Sequence, residues 1–158
     1  MLPVVHHPAY VAADVPAHHR FPMGKFRAVA ERLLETGLVS GWEAFHTPRP
    51  APETWLELAH DPAYVRAVCG ATLDEKTARR IGFKMTPPVA RRSRCAVAGT
   101  VLAARLALET GLACNTAGGS HHASYEGGAG FCVFNDVAVA ARILLGEGGV
   151  KRILVVDC

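Results

Sequence analysis

No stretch of the 158 residues approaches the ~18–20 consecutive apolar residues of a membrane span. The opening residues, MLPVVHHPAY, lack the basic stretch and apolar core of a secretory signal. The five cysteines, Cys69, Cys95, Cys114, Cys132 and Cys158, include no C-x-x-C pair, and their number is odd. Reduced thiols in a cytoplasmic protein, most of them buried as small hydrophobes, are therefore expected. Internal repeats and low-complexity tracts are also missing. Net charge is small: 17 Lys and Arg against 14 Asp and Glu leave +3 with histidines neutral. The basic cluster of Arg79, Arg80, Lys84, Arg91, Arg92 and Arg94 suits a solvated helix face as well as an acidic partner, and nucleic-acid binding is not expected.

What is present is ordinary globular composition, half apolar and a fifth charged, which excludes disorder over most of the length. A single domain of this size buries roughly 68–70% of its unfolded surface. Val4, Val5 and His6 form a short candidate strand, followed by a loop rich in proline and histidine. Residues 25–36 read as a helix, with Phe26, Val29, Ala30, Leu33 and Leu34 on one face and Gly37 as a left-handed cap. Pro48, Pro50 and Pro52 mark a rigid connector. Asp61 followed by Pro62 starts a short helix, with the carboxylate as N-cap and proline in the first turn. Thr86, Pro87 and Pro88 repeat that logic before the longest helix, 89–110, which Gly111 ends. Residues 112–114 read as a buried strand, and a second Ala/Val helix starts at Asn135 and Asp136. Residues 153–156, Ile-Leu-Val-Val, have the character of a strand buried on both faces. Strand, helix, strand, helix, strand is the α/β pattern with parallel pairing, and its chemistry gathers beyond the C-terminal strand ends. Asp157 lies at such an end. A domain rarely stops inside a central strand, so the chain reads as the N-terminal part of a longer domain.

The densest chemistry lies in residues 118–135, GGSHHASYEGGAGFCVFN. His121 and His122 are adjacent and flanked by glycines, which let the backbone approach a ligand closely. Imidazoles titrate near neutral pH, which suits a general base and an electrostatic partner. Neighbouring histidines on extended backbone point apart, so both serve one site only if the loop turns there. The dipeptide alone is weak, since His6-His7 and His18-His19 occur in the same chain. Its context, after a predicted strand and before Gly130, Phe131 and a helix start, makes it the leading candidate. Asp157 fits either an N-cap of a following helix or a metal or catalytic group.

The run Gly118-Gly119-Ser120-His121-His122-Ala123, then Gly130-Phe131-Cys132, Asn135-Asp136 and Val155-Val156-Asp157, resembles the zinc-dependent histone deacetylase family. That family also holds acetylpolyamine amidohydrolases and acetoin-utilisation proteins. The His18-to-Met23 loop and the His60-to-Val65 helix start are similar to family features as well. The resemblance implies an incomplete three-layer α/β/α fold with a mostly parallel sheet, of the arginase/deacetylase type, covering about half of the family's domain. It implies zinc-dependent hydrolysis of N-acetyl amides, either acetyl-lysine in proteins or small acetylated amines. On the matching positions, His122 would be the general base and His121 the electrostatic partner that helps protonate the leaving amine. Gly130 and Phe131 would line the acyl-lysine channel, and Arg20 would lie near an inner product-exit cavity. Asp157 would hold a monovalent cation, K⁺ by this resemblance. The zinc ligands and the carbonyl-polarising tyrosine would lie beyond Cys158, so the 158 residues alone are expected to be inactive. Two other readings stay open on residues alone: a non-catalytic remnant or binding module of this fold, and an unrelated α/β domain with an incidental histidine pair. No membrane partner is expected, and oligomeric state is not legible.

Overall fold

The computed structural model describes residues 2–157. Two short parallel strands, β1 (Val4–Val5) and β2 (Cys114–Asn115), pair with Val4 opposite Cys114 and Val5 opposite Asn115. Six helices follow the chain: α1 (Lys25–Glu35), α2 (Glu53–Leu56), α3 (Pro62–Cys69), α4 (Glu75–Ile81), α5 (Pro87–Thr110) and α6 (Asp136–Gly146). No helix among the described residues is long and apolar enough to cross a membrane.

The helix boundaries have local causes. Asp61 Oδ1 accepts from the backbone N–H groups of Ala63 and Tyr64 at 2.8 and 3.1 Å and so caps α3. Thr86 accepts from Val89 N at 3.3 Å, two prolines fill the first turn of α5, and Gly111 at φ +86° ends it. Asn135 Oδ1 accepts from Ala138 N at 2.9 Å at the head of α6. Asp74 does the same for α4 through Thr77 N at 2.9 Å.

Helices lie on both faces of the small sheet. Val4 packs with Ala30, Leu33 and Leu34 of α1, together with Val39 and Phe45. Helix α5 contacts both strands and packs along α6. The main core gathers Tyr10, Phe26, Leu56, Val65, Ile81, Val97 and Val139 around α5. Of the described cysteines, none is in a disulfide: Cys95 and Cys132 are buried, Cys69 is half-buried and Cys114 is exposed.

Three expectations need correction. The strand expected at 112–114 is displaced to Cys114–Asn115, and Leu112 is 63% exposed rather than buried. The strand expected at 153–156 does not form. Those residues have no ladder partner among the described residues, and Leu154 and Val156 are 86% and 73% exposed. A β-branched run favours a strand only when a neighbour takes its N–H and C=O groups. Finally, the basic cluster is not one solvated face. Arg79 and Arg80 lie exposed in the last turn of α4, but Arg92 is buried inside α5's packed side.

Candidate functional site

The residues between β2 and α6 form a loop that turns at the two histidines, where His121 N–H donates to Gly119 O at 3.0 Å. The turn sets the two imidazoles side by side, with centroids 4.2 Å apart and planes inclined by 56°. His121 Nδ1 lies 3.6 Å from Asp157 Oδ2. Both rings are exposed, and the Asp157 side chain is largely so. The structure thus brings together three of the residues singled out in the sequence.

Gly130 and Phe131 adjoin this pair. Gly130 has φ +54°, and a Cβ there would lie 3.2 Å from His122 Cδ2, so a side chain would strain the backbone and push the ring aside by a few tenths of an ångström. Phe131 also sits in the left-handed region at φ +68°, a strained setting for an aromatic residue. It is held there by its N–H, which donates to Ile81 O at 2.7 Å, and by its ring. That ring is half-buried and packs with Phe21 and Phe83 at centroid distances of 5.2 and 5.5 Å. His19 meets its edge at 6.1 Å. Arg20 is exposed, with its guanidinium carbon 5.1 Å from the Phe131 centroid. The arginine buried behind the loop is Arg92, whose guanidinium lies 4.7 Å from the Phe26 centroid and whose Nε has no hydrogen-bond partner among the described residues. Burial pulls its pKa down, and Asp136 opposes that shift.

The loop is fastened from three helices. Fully buried His60, just before α3, bridges it: Nδ1 lies 2.8 Å from Ser124 O, and Nε2 accepts from Asn135 N at 2.9 Å. Because Nε2 accepts, the ring is neutral with its proton on Nδ1, donated to Ser124 O. Burial lowers the His60 pKa, and the Ser124 carbonyl opposes that shift. Tyr64 Oη donates to Val133 O at 2.7 Å and accepts from Gly128 N at 3.0 Å. Burial pushes its pKa upward. Arg80 Nε donates to Gly128 O at 3.0 Å. Asn135 Nδ2 donates to Ala123 O at 3.1 Å and to His121 O at 3.4 Å. Asp136, fully buried, accepts from Ser120 N at 2.7 Å and Gly119 N at 3.1 Å. Cys132 is buried against this loop, and burial raises its pKa.

Comparison with known proteins decides the family. The model of the histone deacetylase domain matches residues 19–158. The chain belongs to the histone deacetylase family. An uncharacterised protein of Picosynechococcus sp. is 50% identical over 155 residues, covering 98% of this chain and 51% of that protein. The acetoin utilization protein AcuC of Staphylococcus aureus is 31% identical over 165 residues, covering 94% of this chain and 42% of AcuC. Among solved structures, the HD domain of HDA15 superposes with a TM-score of 0.72 at 23% identity, covering 93% of this chain and 43% of that one. The fold is thus the α/β deacetylase fold, here incomplete. The chain spans about half the length, or less, of the curated relatives it matches.

Within this family fold, the sequence reading missed the fastening residues. His60 and Tyr64 stood out only as part of a family-like helix start, and Asp136 only as part of a helix start. Their partners lie 64 to 75 residues away along the chain for His60, and 64 and 69 away for Tyr64. The signal available was compositional: a histidine and a tyrosine four apart at a capped helix start, where burial demands partners.

Proposed function

We propose that the protein to which this chain belongs hydrolyses N-acetyl amides, acetyl-lysine in proteins or small acetylated amines, in a zinc-dependent reaction in the cytoplasm. On this reading residues 1–158 are the N-terminal part of one deacetylase-like domain and are inactive alone. The observation that supports it most is the pair of imidazoles 4.2 Å apart on a glycine-rich loop, one of them 3.6 Å from Asp157.

The chemistry of these residues is proton transfer. His122 takes a proton from the attacking water as its oxygen bonds to the acetyl carbon. His121, whose Nδ1 lies 3.6 Å from Asp157 Oδ2, gives a proton to the amine nitrogen as the C–N bond breaks. Acetate and the free amine are the products. Gly130 and Phe131 form one wall for the acyl-lysine chain, and Arg20, over the Phe131 ring, lies toward the product-exit cavity. Zinc is a different matter. Among the described residues, no three His, Cys, Asp or Glu side chains converge to hold a metal ion. The described residues therefore do not make up a zinc site, and on this reading the ligands lie beyond Cys158. Asp157 contributes one carboxylate to a monovalent-cation site, proposed for K⁺. No membrane or nucleic-acid partner is proposed.

The test is His122→Ala in the protein carrying the whole domain. Turnover of an acetyl-lysine peptide should fall roughly 10²–10⁴-fold, the usual span for a lost general base. Bound zinc should be unchanged. Loss of zinc along with turnover would make His122 a ligand instead of a base. Substrate binding with no turnover in the unsubstituted protein would favour a binding module.

A further inference from the structure

Behind the histidine loop runs a chain of hydrogen bonds that all point one way. Tyr10 Oη donates to Asn115 Oδ1 at 2.9 Å. Asn115 Nδ2 donates to Thr100 Oγ1 at 3.3 Å. Thr100 Oγ1 donates to Asp136 Oδ2 in a short hydrogen bond. Asp136 then accepts from the backbone N–H groups of Gly119 and Ser120, the two residues before His121. Tyr10 and Asp136 are both fully buried, so neither end exchanges its partners with water. Donors aligned in series polarise one another, and the carboxylate at the end collects three charge-assisted bonds.

Two glycines keep the space for this chain. A Cβ on Gly99 would collide with Tyr10 Oη and the Asn115 amide. A Cβ on Gly118 would lie 2.7 Å from both Asp136 Oδ2 and Thr100 Oγ1. The bonds tie together the 3₁₀ turn at Pro8–Tyr10, strand β2, the middle of α5 and the first residue of α6. Packing alone would not require a fully buried carboxylate that has no salt-bridge partner among the described residues.

We propose that Thr100, backed by Asn115 and Tyr10, is a positioning residue for the His121–His122 loop: it fixes the Asp136 carboxylate so that its oxygens grip the Gly119 and Ser120 amides. The role of the histidines rests on the reading above, but the grip itself does not. Thr100 touches neither imidazole. It acts through Asp136 on the backbone that sets where the rings stand. Asn135 completes the hold from the other side by donating to His121 O and Ala123 O, so the turn is clasped on both its amide and its carbonyl sides.

The experiment is amide hydrogen exchange and proton NMR on the chain itself, with Thr100→Val, Thr100→Ser and Tyr10→Phe. Valine keeps the shape of threonine and removes the hydroxyl. In Thr100→Val, exchange at Gly119 and Ser120 should rise roughly 5–30-fold, the range for losing one such bond. Their amide protons should move upfield as the carboxylate bond weakens. Thr100→Ser should restore both signals. Tyr10→Phe, which removes only the far hydroxyl, should give a smaller change of the same sign, and it keeps the proposal testable if Thr100→Val does not fold. Amides of Val65 in α3 and Leu33 in α1 serve as remote controls. Unchanged signals at Gly119 and Ser120, failure of serine to restore them, or an equal rise at the controls would overturn the proposal. None of these readouts involves substrate or zinc, so an error about the reaction would leave them untouched.

Discussion

Replacing His60 by alanine takes away a side chain that is fully buried and bonded at both nitrogens. The Ser124 carbonyl and the Asn135 N–H each lose their partner, and the imidazole leaves a void beside Tyr64 and Phe134, whose ring centroids lie 6.0 and 5.3 Å from that of His60. Each orphaned polar group costs about 1–3 kcal/mol, and together with the cavity the loss should reach about 3–5 kcal/mol. Urea unfolding followed by far-ultraviolet circular dichroism measures it through the helices. A loss under about 1 kcal/mol would refute the claim that His60 fastens the loop to α3. A second arm uses acid. The pKa of His60 in the folded chain lies below its ordinary 6.5 because of burial. The unfolded chain therefore takes up the proton first as pH falls. His60's contribution is fully present above about pH 6.5 and is lost as pH drops from there toward the depressed value. His6 and His7 are shifted the same way by burial, so they retain part of the acid sensitivity. The His60→Ala chain should show a shallower loss of stability between pH 7 and 5 than the parent. Equal slopes would mean that His60 is not held neutral.

Other outcomes follow from single contacts. Gly130→Ala places a Cβ 3.2 Å from His122 Cδ2 at φ +54°, so it should displace the His122 ring and destabilise the chain by about 1 kcal/mol; an unchanged His122 ring spectrum would contradict this. Asp61→Ala removes the cap of α3 and should cost about 1 kcal/mol in the same unfolding assay, with Asp61→Asn losing less. The 158-residue chain, titrated at low metal, should bind no stoichiometric zinc and should not deacetylate an acetyl-lysine peptide; chelator-sensitive turnover by it would require a metal site built from residues given no such role. Exposed Leu154 and Val156 should make the chain self-associate, which sedimentation over a range of concentrations would detect; a monomer at every concentration would count against it.

Local chemistry made the helices legible. Asp61, Thr86 and Asn135 cap the helices expected to follow them, because a cap needs only an oxygen two or three residues ahead of free N–H groups. Two helices were hidden. Proline masked α2, and charge masked α4, whose Glu75, Lys76, Arg79 and Arg80 leave little apolar periodicity. The strand at 153–156 was misread because a buried-strand composition carries no information about whether a neighbour is present. At the site, the glycines around His121 and His122 were legible, but the turn stood only as a condition for both rings to share a site, and Asp157 was placed by a strand that does not form. What fastens that loop was not visible, since burial of His60, Arg92, Thr100 and Asp136 is set by contacts across dozens of residues. Arg92 shows the limit most clearly. In sequence it is one basic residue in a row, and only packing distinguishes it from its exposed neighbour Arg91.

The bridge from His60 to Asn135 spans 75 residues, and that distance sets a timetable on the ribosome. At about 5–20 residues per second, His60 waits roughly 4–15 seconds for the residue it must bind to be made. Tyr64 waits nearly as long for Val133, and Asp136 arrives after all the groups that it grips. Through that interval α3 is a short nascent segment with a histidine and a tyrosine destined for burial and nothing to bury them against. A chaperone that masks nascent apolar surface would find its window here, before residue 136 emerges and the loop closes.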